Sequence, residues 1–252
     1  MTKTSISAAP ILESSSGRPS SFGSPFGGAQ IWRGRSAHFA QRVIATGFAS
    51  LDEHLPGGGW PQRSITEVFL DRYGIGELTL LIPALRELTQ RKSAADRKWV
   101  IFIAPPFIPY APALAQRGID IERLLLVHPT VGSKNCLWAV EQAVRSGSGS
   151  AVLAWLKTAD GIALRRLQLA SEQQGCWTVL FRPMSALSNR SPAALRIRLF
   201  IEDAVTKLQI LKSRGGRPAI VNLSTDRQGR RKCRASQEQR AAEERKRTGE
   251  PI

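Results

Sequence analysis

The stretch Leu70-Asp71-Arg72-Tyr73-Gly74-Ile75-Gly76-Glu77-Leu78-Thr79 comes nearest, in residue types and spacing, to phosphate chemistry. A glycine-bearing turn between an apolar run and a stretch of helical periodicity is where free backbone N–H groups and a helix dipole converge on an anion. A working loop of the form GxxxxGK[ST] needs a Lys for the outer phosphates and a hydroxyl for magnesium. Aligned on Gly76, the Lys place holds Glu77 and the hydroxyl place holds Leu78, with Thr79 one residue late. Glu77 repels a triphosphate and Leu78 cannot ligate a metal. Gly74 and Gly76 therefore keep a loop whose chemistry is lost. The second half of an ATPase site is an acid at the end of a later strand. The natural strand, Ala151–Leu156, ends in Trp155 and Leu156, and Asp160 beyond it reads as the N-cap of the next helix. The chain is expected to be no enzyme and to use no cofactor.

Other chemistries are poorly supplied. His38, His54 and His128 are too far apart in sequence to suggest a histidine-rich metal site or a Ser/His/Asp triad. Cys136, Cys176 and Cys233 are too few and scattered for a disulfide framework or a zinc ribbon, which fits a reducing compartment. No apolar window approaches a membrane span, and the amino-terminal residues lack a signal-peptide pattern. A cytoplasmic protein is expected, associated with the nucleoid wherever it contacts DNA.

The elements that would position the loop are legible from periodicity. Ser64–Leu70 reads as a strand, Glu77–Gln90 as a helix and Trp99–Ala104 as a second strand. Pro105, Pro106 and Pro109 force a loop before a short helix over Ala111–Arg117. Strands over Leu124–Val127, Ala151–Leu156 and Thr178–Phe181 then alternate with helices over Ser133–Ser146 and Ile162–Gln174. Short, wholly apolar strands alternating with amphipathic helices predict an α/β fold with a parallel sheet covered on both faces. Leu195–Glu202, Lys207–Lys212 and Ala219–Leu223 follow with no helix between them, and Arg214–Pro218 (RGGRP) supplies a turn, so an antiparallel extension is expected. The domain runs over residues 46–224. Residues 1–45 are a leader, disordered where Ser, Gly and Pro dominate and either a docking arm or a packed short helix near its end. Residues 225–252 are a basic disordered tail.

The net charge is +16 over 252 residues, and 13 of the 36 basic residues lie in 207–252 against 5 acids. Lys207, Lys212, Arg214, Arg217, Arg227, Arg230, Arg231, Lys232 and Arg234 could follow a phosphate backbone, or could form a solvated tail. No aromatic residue lies beyond Phe200, so any nucleic-acid contact would be independent of sequence. Trp138 and Trp155 read as core. Trp60, in the GGGWP turn, reads equally as core or as a partner contact. The rigid loop carrying Phe107, Ile108 and Tyr110 should lie at the carboxyl edge of the sheet, where partners meet α/β domains, either as a preorganised apolar contact or as ordinary loop packing.

Thr46–Val68, TGFASLDEHLPGGGWPQRSITEV, resembles the lead-in to the phosphate loop of the RecA recombinase core. Thr46, Gly47, Leu51, Asp52, Gly58, Gly59, Pro61, Ile65 and Glu67 carry the match. With the degraded loop, the run Phe181–Pro183 (FRP) and Leu211–Pro218 (LKSRGGRP), the chain is similar to the ImuA family, and its centre to the cell-division inhibitor SulA. The resemblance implies a RecA-like core and a non-catalytic adaptor role in SOS-induced error-prone translesion synthesis. Its implied partners are ImuB, an error-prone DnaE-type polymerase and RecA on damaged DNA. The catalytic Glu of a recombinase has no match in Ala104–Pro109, and the segments matching RecA's DNA-binding loops, near Lys157–Gly161 and Met184–Ala194, are short. The alternatives are a SulA-type inhibitor that binds FtsZ and a divergent DNA-dependent ATPase.

Overall fold

A computed structural model describes residues 42–91, 98–128 and 133–223. The leader up to residue 41 and the tail from residue 224 lie outside these residues. So do five of the basic candidates, Arg227, Arg230, Arg231, Lys232 and Arg234.

The described residues begin with a two-residue strand, β1 (Val43–Ile44), a short helix, α1 (Ala49–Asp52), and β2 (Trp60–Pro61), which pairs antiparallel with β1. There follow β3 (Ile65–Leu70), α2 (Glu77–Thr89), β4 (Trp99–Ile103), α3 (Ala111–Gln116), β5 (Leu124–Val127), α4 (Ser133–Arg145), β6 (Gly149–Trp155), α5 (Gly161–Gln174) and β7 (Trp177–Pro183). The last three elements are β8 (Leu195–Glu202), β9 (Val205–Ser213) and β10 (Ala219–Asn222). One eight-stranded sheet runs β10-β9-β8-β3-β7-β6-β4-β5. Every pair from β8 through β3 to β5 is parallel, while β9 and β10 are antiparallel to their neighbours. The fold is mixed α/β with a mainly parallel sheet, as the alternation of apolar strands and helices predicts. The antiparallel character starts one strand later than the missing helix suggests, because β8 crosses over to lie parallel beside β3.

β3 is buried along its whole length because it is flanked by strands on both sides and covered on both faces. Leu81, Ala84, Leu85 and Leu88 of α2 cover one face, meeting Val68, Phe102, Leu153 and Phe181. Val140 and Val144 of α4 and Leu164 and Leu167 of α5 cover the other, against Ile65, Ile101, Val152 and Leu180. Two expectations of burial fail. Trp138 is 65% exposed, because the α4 positions that meet the sheet are Val140 and Val144, and Trp138 lies around the helix from them. β5 is an edge strand with a single neighbour, so Leu125 and Leu126 remain part-exposed despite their apolar character.

Candidate functional site

The motif residues ahead of β3 are architectural. The Thr46 N–H donates to Oδ1 of Asp52 at 3.1 Å, and the Thr46 hydroxyl accepts the Phe48 N–H at 3.1 Å, closing a tight loop into α1. Gly47 has φ +82°, and a Cβ there would lie 2.4 Å from Pro83 Cβ of α2, so the loop can press on α2 only with glycine. Trp60 is fully buried and stacks on Trp177 with ring centroids 5.7 Å apart, which settles it as core and removes it as a partner contact.

Glu67, the last motif residue, is fully buried on β3. Its Oε1 accepts from Nη1 of Arg182 at 2.7 Å and its Oε2 from Nε of Arg196 at 2.9 Å. Arg182, the middle residue of FRP, also donates from Nη2 to the Ala159 carbonyl at 3.0 Å. The parallel pairing of β3 with both β7 and β8 places these groups in register, since Glu67 lies beside Leu180 and Arg196. This ion network was not legible in the sequence. The signal that could have found it is an acid in the middle of an otherwise apolar strand, which requires a buried counter-ion.

β3 delivers the chain to the degenerate loop at the carboxyl edge of the sheet. Gly74 (φ +82°) and Gly76 (φ +103°) adopt the left-handed backbone that such a loop needs, and Gly76 precedes the first turn of α2. The Gly74 N–H, a donor a phosphate would use, instead points at the Glu77 carboxylate, 2.9 Å from Oε1 and 3.1 Å from Oε2. Glu77 is 5% exposed at the start of α2, so the chain places its own anion at the positive end of the helix dipole. Tyr73 beside it has its hydroxyl pKa raised, by burial first and by the Glu77 charge second. Leu78 packs against the core, and the Thr79 hydroxyl accepts from Nη1 of Arg117 at 3.2 Å.

Trp155 ends β6, where the metal-holding acid of an ATPase would stand. It stacks on Phe181 at 4.6 Å and meets Phe102 edge-on, so that end of the strand is aromatic and carries no acid, with the Trp155 indole N–H buried and unpartnered. Asp160 caps α5 by accepting the Ala163 N–H at 2.7 Å, as its position predicts. Between the degenerate loop and the proline loop lies a cleft of about 210 Å³, lined by Leu78, Thr79, Phe107, Ile108 and Trp155 among others. Ala104, at φ +51°, turns the chain out of β4 into Pro105 and Pro106. Phe107 and Tyr110 are 69% and 73% exposed, so they are not packed into the loop. A second cleft, of about 510 Å³, lies at Lys157–Asp160 and Ser185–Asn189 with Arg182 in its lining.

The described basic candidates lie elsewhere. The β3–β8–β9 register runs from Thr66, Leu195 and Ser213 at one end to Leu70, Leu199 and Leu208 at the other. The Arg214–Pro218 turn therefore stands at the amino end of β3, a whole strand length from the degenerate loop. Arg214 and Arg217 are exposed there. Lys212 donates to the Ser191 carbonyl at 2.9 Å, and its pKa is lowered by burial and then by Arg196 and Arg214. Lys207 is engaged by Glu202 and is a weaker candidate for a phosphate contact. Among the described residues no group of His, Cys, Asp and Glu could hold a metal ion, and no helix is long and apolar enough to cross a membrane.

No family model matches the chain. It is 30% identical over 156 residues to "Protein ImuA" of Caulobacter vibrioides, a match covering 60% of this chain and 62% of that protein. It is 33% identical over 95 residues to "Cell division inhibitor SulA" of Pseudomonas aeruginosa, covering 38% and 56% of the two chains. The SulA of Photorhabdus laumondii is 26% identical over 117 residues, covering 46% and 63%. The chain thus spans less than two thirds of the length of these curated relatives. Among solved structures, the crystal structure of SulA from Pseudomonas aeruginosa is similar at 28% identity and a TM-score of 0.39, over 47% of this chain and 97% of that one.

Proposed function

We propose that this ImuA/SulA-like chain is a non-catalytic accessory protein of the SOS response, an adaptor that links ImuB and an error-prone DnaE-type polymerase to RecA on damaged DNA. The observation that carries the reading is the Glu77 carboxylate bonded to the Gly74 N–H. An anion already fills the cradle, and no Lys, hydroxyl or strand-end acid stands ready for a nucleotide and its metal. We take the core as RecA-like, on the support of a glycine loop leaving the central strand β3 at the carboxyl edge of a mainly parallel sheet. An adaptor needs separate docking ends. The exposed Phe107 and Tyr110 lie at one end of the sheet, and Arg214 and Arg217 at the other. Nonspecific DNA contact belongs to the second.

The SulA matches favour a second reading, an inhibitor of the division GTPase FtsZ. Co-precipitation of the purified chain with ImuB, the DnaE-type polymerase, RecA filaments on single-stranded DNA, and FtsZ separates the two. The adaptor reading expects retention with ImuB or RecA filaments and none with FtsZ. Retention with FtsZ alone would replace it by the inhibitor.

A further inference from the structure

The cleft beside the degenerate loop carries little charge for a nucleotide, and its lining is largely apolar. Of the residues that line it, the single ionised one is Glu77, whose carboxylate is held by the Gly74 N–H. The remaining lining is largely Pro105, Pro106, Ile108, Pro109, Leu78 and Trp155. Three prolines and the left-handed Ala104 fix the loop on its far side, so little conformational freedom is lost when something docks. Phe107 and Ile108, both largely exposed, continue the apolar surface outward. The rim has the opposite character. Arg117 reaches the cleft through Thr79, is exposed and has no carboxylate partner among the described residues. An apolar hollow with a cationic rim is the arrangement of a contact whose centre is hydrophobic and whose edge is electrostatic.

We propose that this cleft receives a short acidic peptide segment of a partner protein, an apolar side chain entering beside Trp155 and a neighbouring carboxylate meeting Arg117. Charge decides the class of occupant. A polyphosphate would set several charges against the Glu77 carboxylate in the cradle, whereas a single apolar side chain enters beside Trp155 and its one neighbouring acid stays outside, at Arg117. The chain's own surplus of positive charge draws such a segment in from solution. The inference rests on the reading of the site as one that no longer takes nucleotide.

The test is selection of random short peptides displayed on phage against the immobilised full chain. It is followed by fluorescence anisotropy of the enriched peptides on the wild type, Phe107→Ser, Arg117→Glu and Arg117→Lys. Both side chains are exposed, so folding should survive, and thermal unfolding checks that it does. The expected result is enrichment of peptides that pair an aromatic or aliphatic residue with Asp or Glu. Their binding should weaken at least about tenfold in Phe107→Ser and Arg117→Glu and be largely kept in Arg117→Lys. No enrichment, enrichment without acid, or binding indifferent to both disruptive changes would overturn the proposal. A parallel titration with magnesium ATP keeps the two failures apart: ATP binding sinks the reading of the site, and its absence together with a failed selection sinks the peptide alone.

Discussion

Nη1 of Arg182 lies 2.7 Å from Oε1 of Glu67, and neither side chain reaches solvent. The two residues are 115 positions apart, Glu67 in the segment Thr46–Val68 and Arg182 in the run Phe181–Pro183. The pair joins β3 to β7 inside the sheet, with Arg196 of β8 as the third member. The network ties β3, β7 and β8 together, while the two positions after Gly76 hold Glu77 and Leu78.

Removing one partner of a buried pair leaves the other charge uncompensated. Arg182→Ala or Glu67→Gln should cost roughly 3–5 kcal/mol of folding stability. Arg198→Ala, which breaks a half-exposed pair with Asp71, should cost at most about 1 kcal/mol. Urea unfolding monitored by circular dichroism measures both. Equal losses in the two variants would mean that the buried network does not hold the sheet.

Cys176 is fully buried just ahead of β7, and burial pushes its thiol up to about 12 from an ordinary 9.0. The folded protein keeps the thiol protonated where the unfolded chain would lose the proton. The associated stability is present below pH 9 and is lost as the pH rises toward about 12, at about 1.4 kcal/mol per pH unit. Cys176→Ala should therefore flatten the alkaline fall in stability relative to wild type. In a chain with Cys136 and Cys233 changed to serine, Cys176 should resist thiol reagents at neutral pH until the protein is unfolded. Rapid labelling of the native protein would contradict its placement.

Arg214 and Arg217 stand on an ordered turn, so reversing both should weaken binding to single-stranded oligonucleotides of any sequence without changing stability. Two lost phosphate contacts should lower the slope of log affinity against log salt by about 1.4. Lys207→Glu should do less, because Lys207 is already engaged by Glu202. Anisotropy titrations at several salt concentrations read both effects. An unchanged slope in the double variant would leave DNA contact to residues outside the turn.

Much of the fold was legible because its determinants are local. The apolar runs of β3, β4 and β6 and the helical spacing of α2 and α5 name their own conformations, and the RGGRP turn fixes the β9–β10 connection. The parallel crossover of β8 was hidden, since periodicity reports what a segment is and not which neighbour it chooses. For the same reason Trp60 stays open between core and partner contact in the sequence, and Trp138 reads as core but is exposed. Composition cannot say that one will stack on Trp177 and the other will face away from the sheet. At the site, the loss of Lys and hydroxyl could be read directly from Glu77 and Leu78. That Glu77 also folds back onto Gly74 depends on the left-handed turn between them.

That contact is most directly tested by calorimetric titration of the purified full chain with ATP in the presence of magnesium. With the Glu77 carboxylate in the cradle and Trp155 in place of the acid, we expect no saturable heat up to millimolar nucleotide. Saturable, magnesium-dependent binding in the micromolar range would contradict the account, and would mean that Glu77 swings clear of Gly74 and that the chain works as a nucleotide-driven machine.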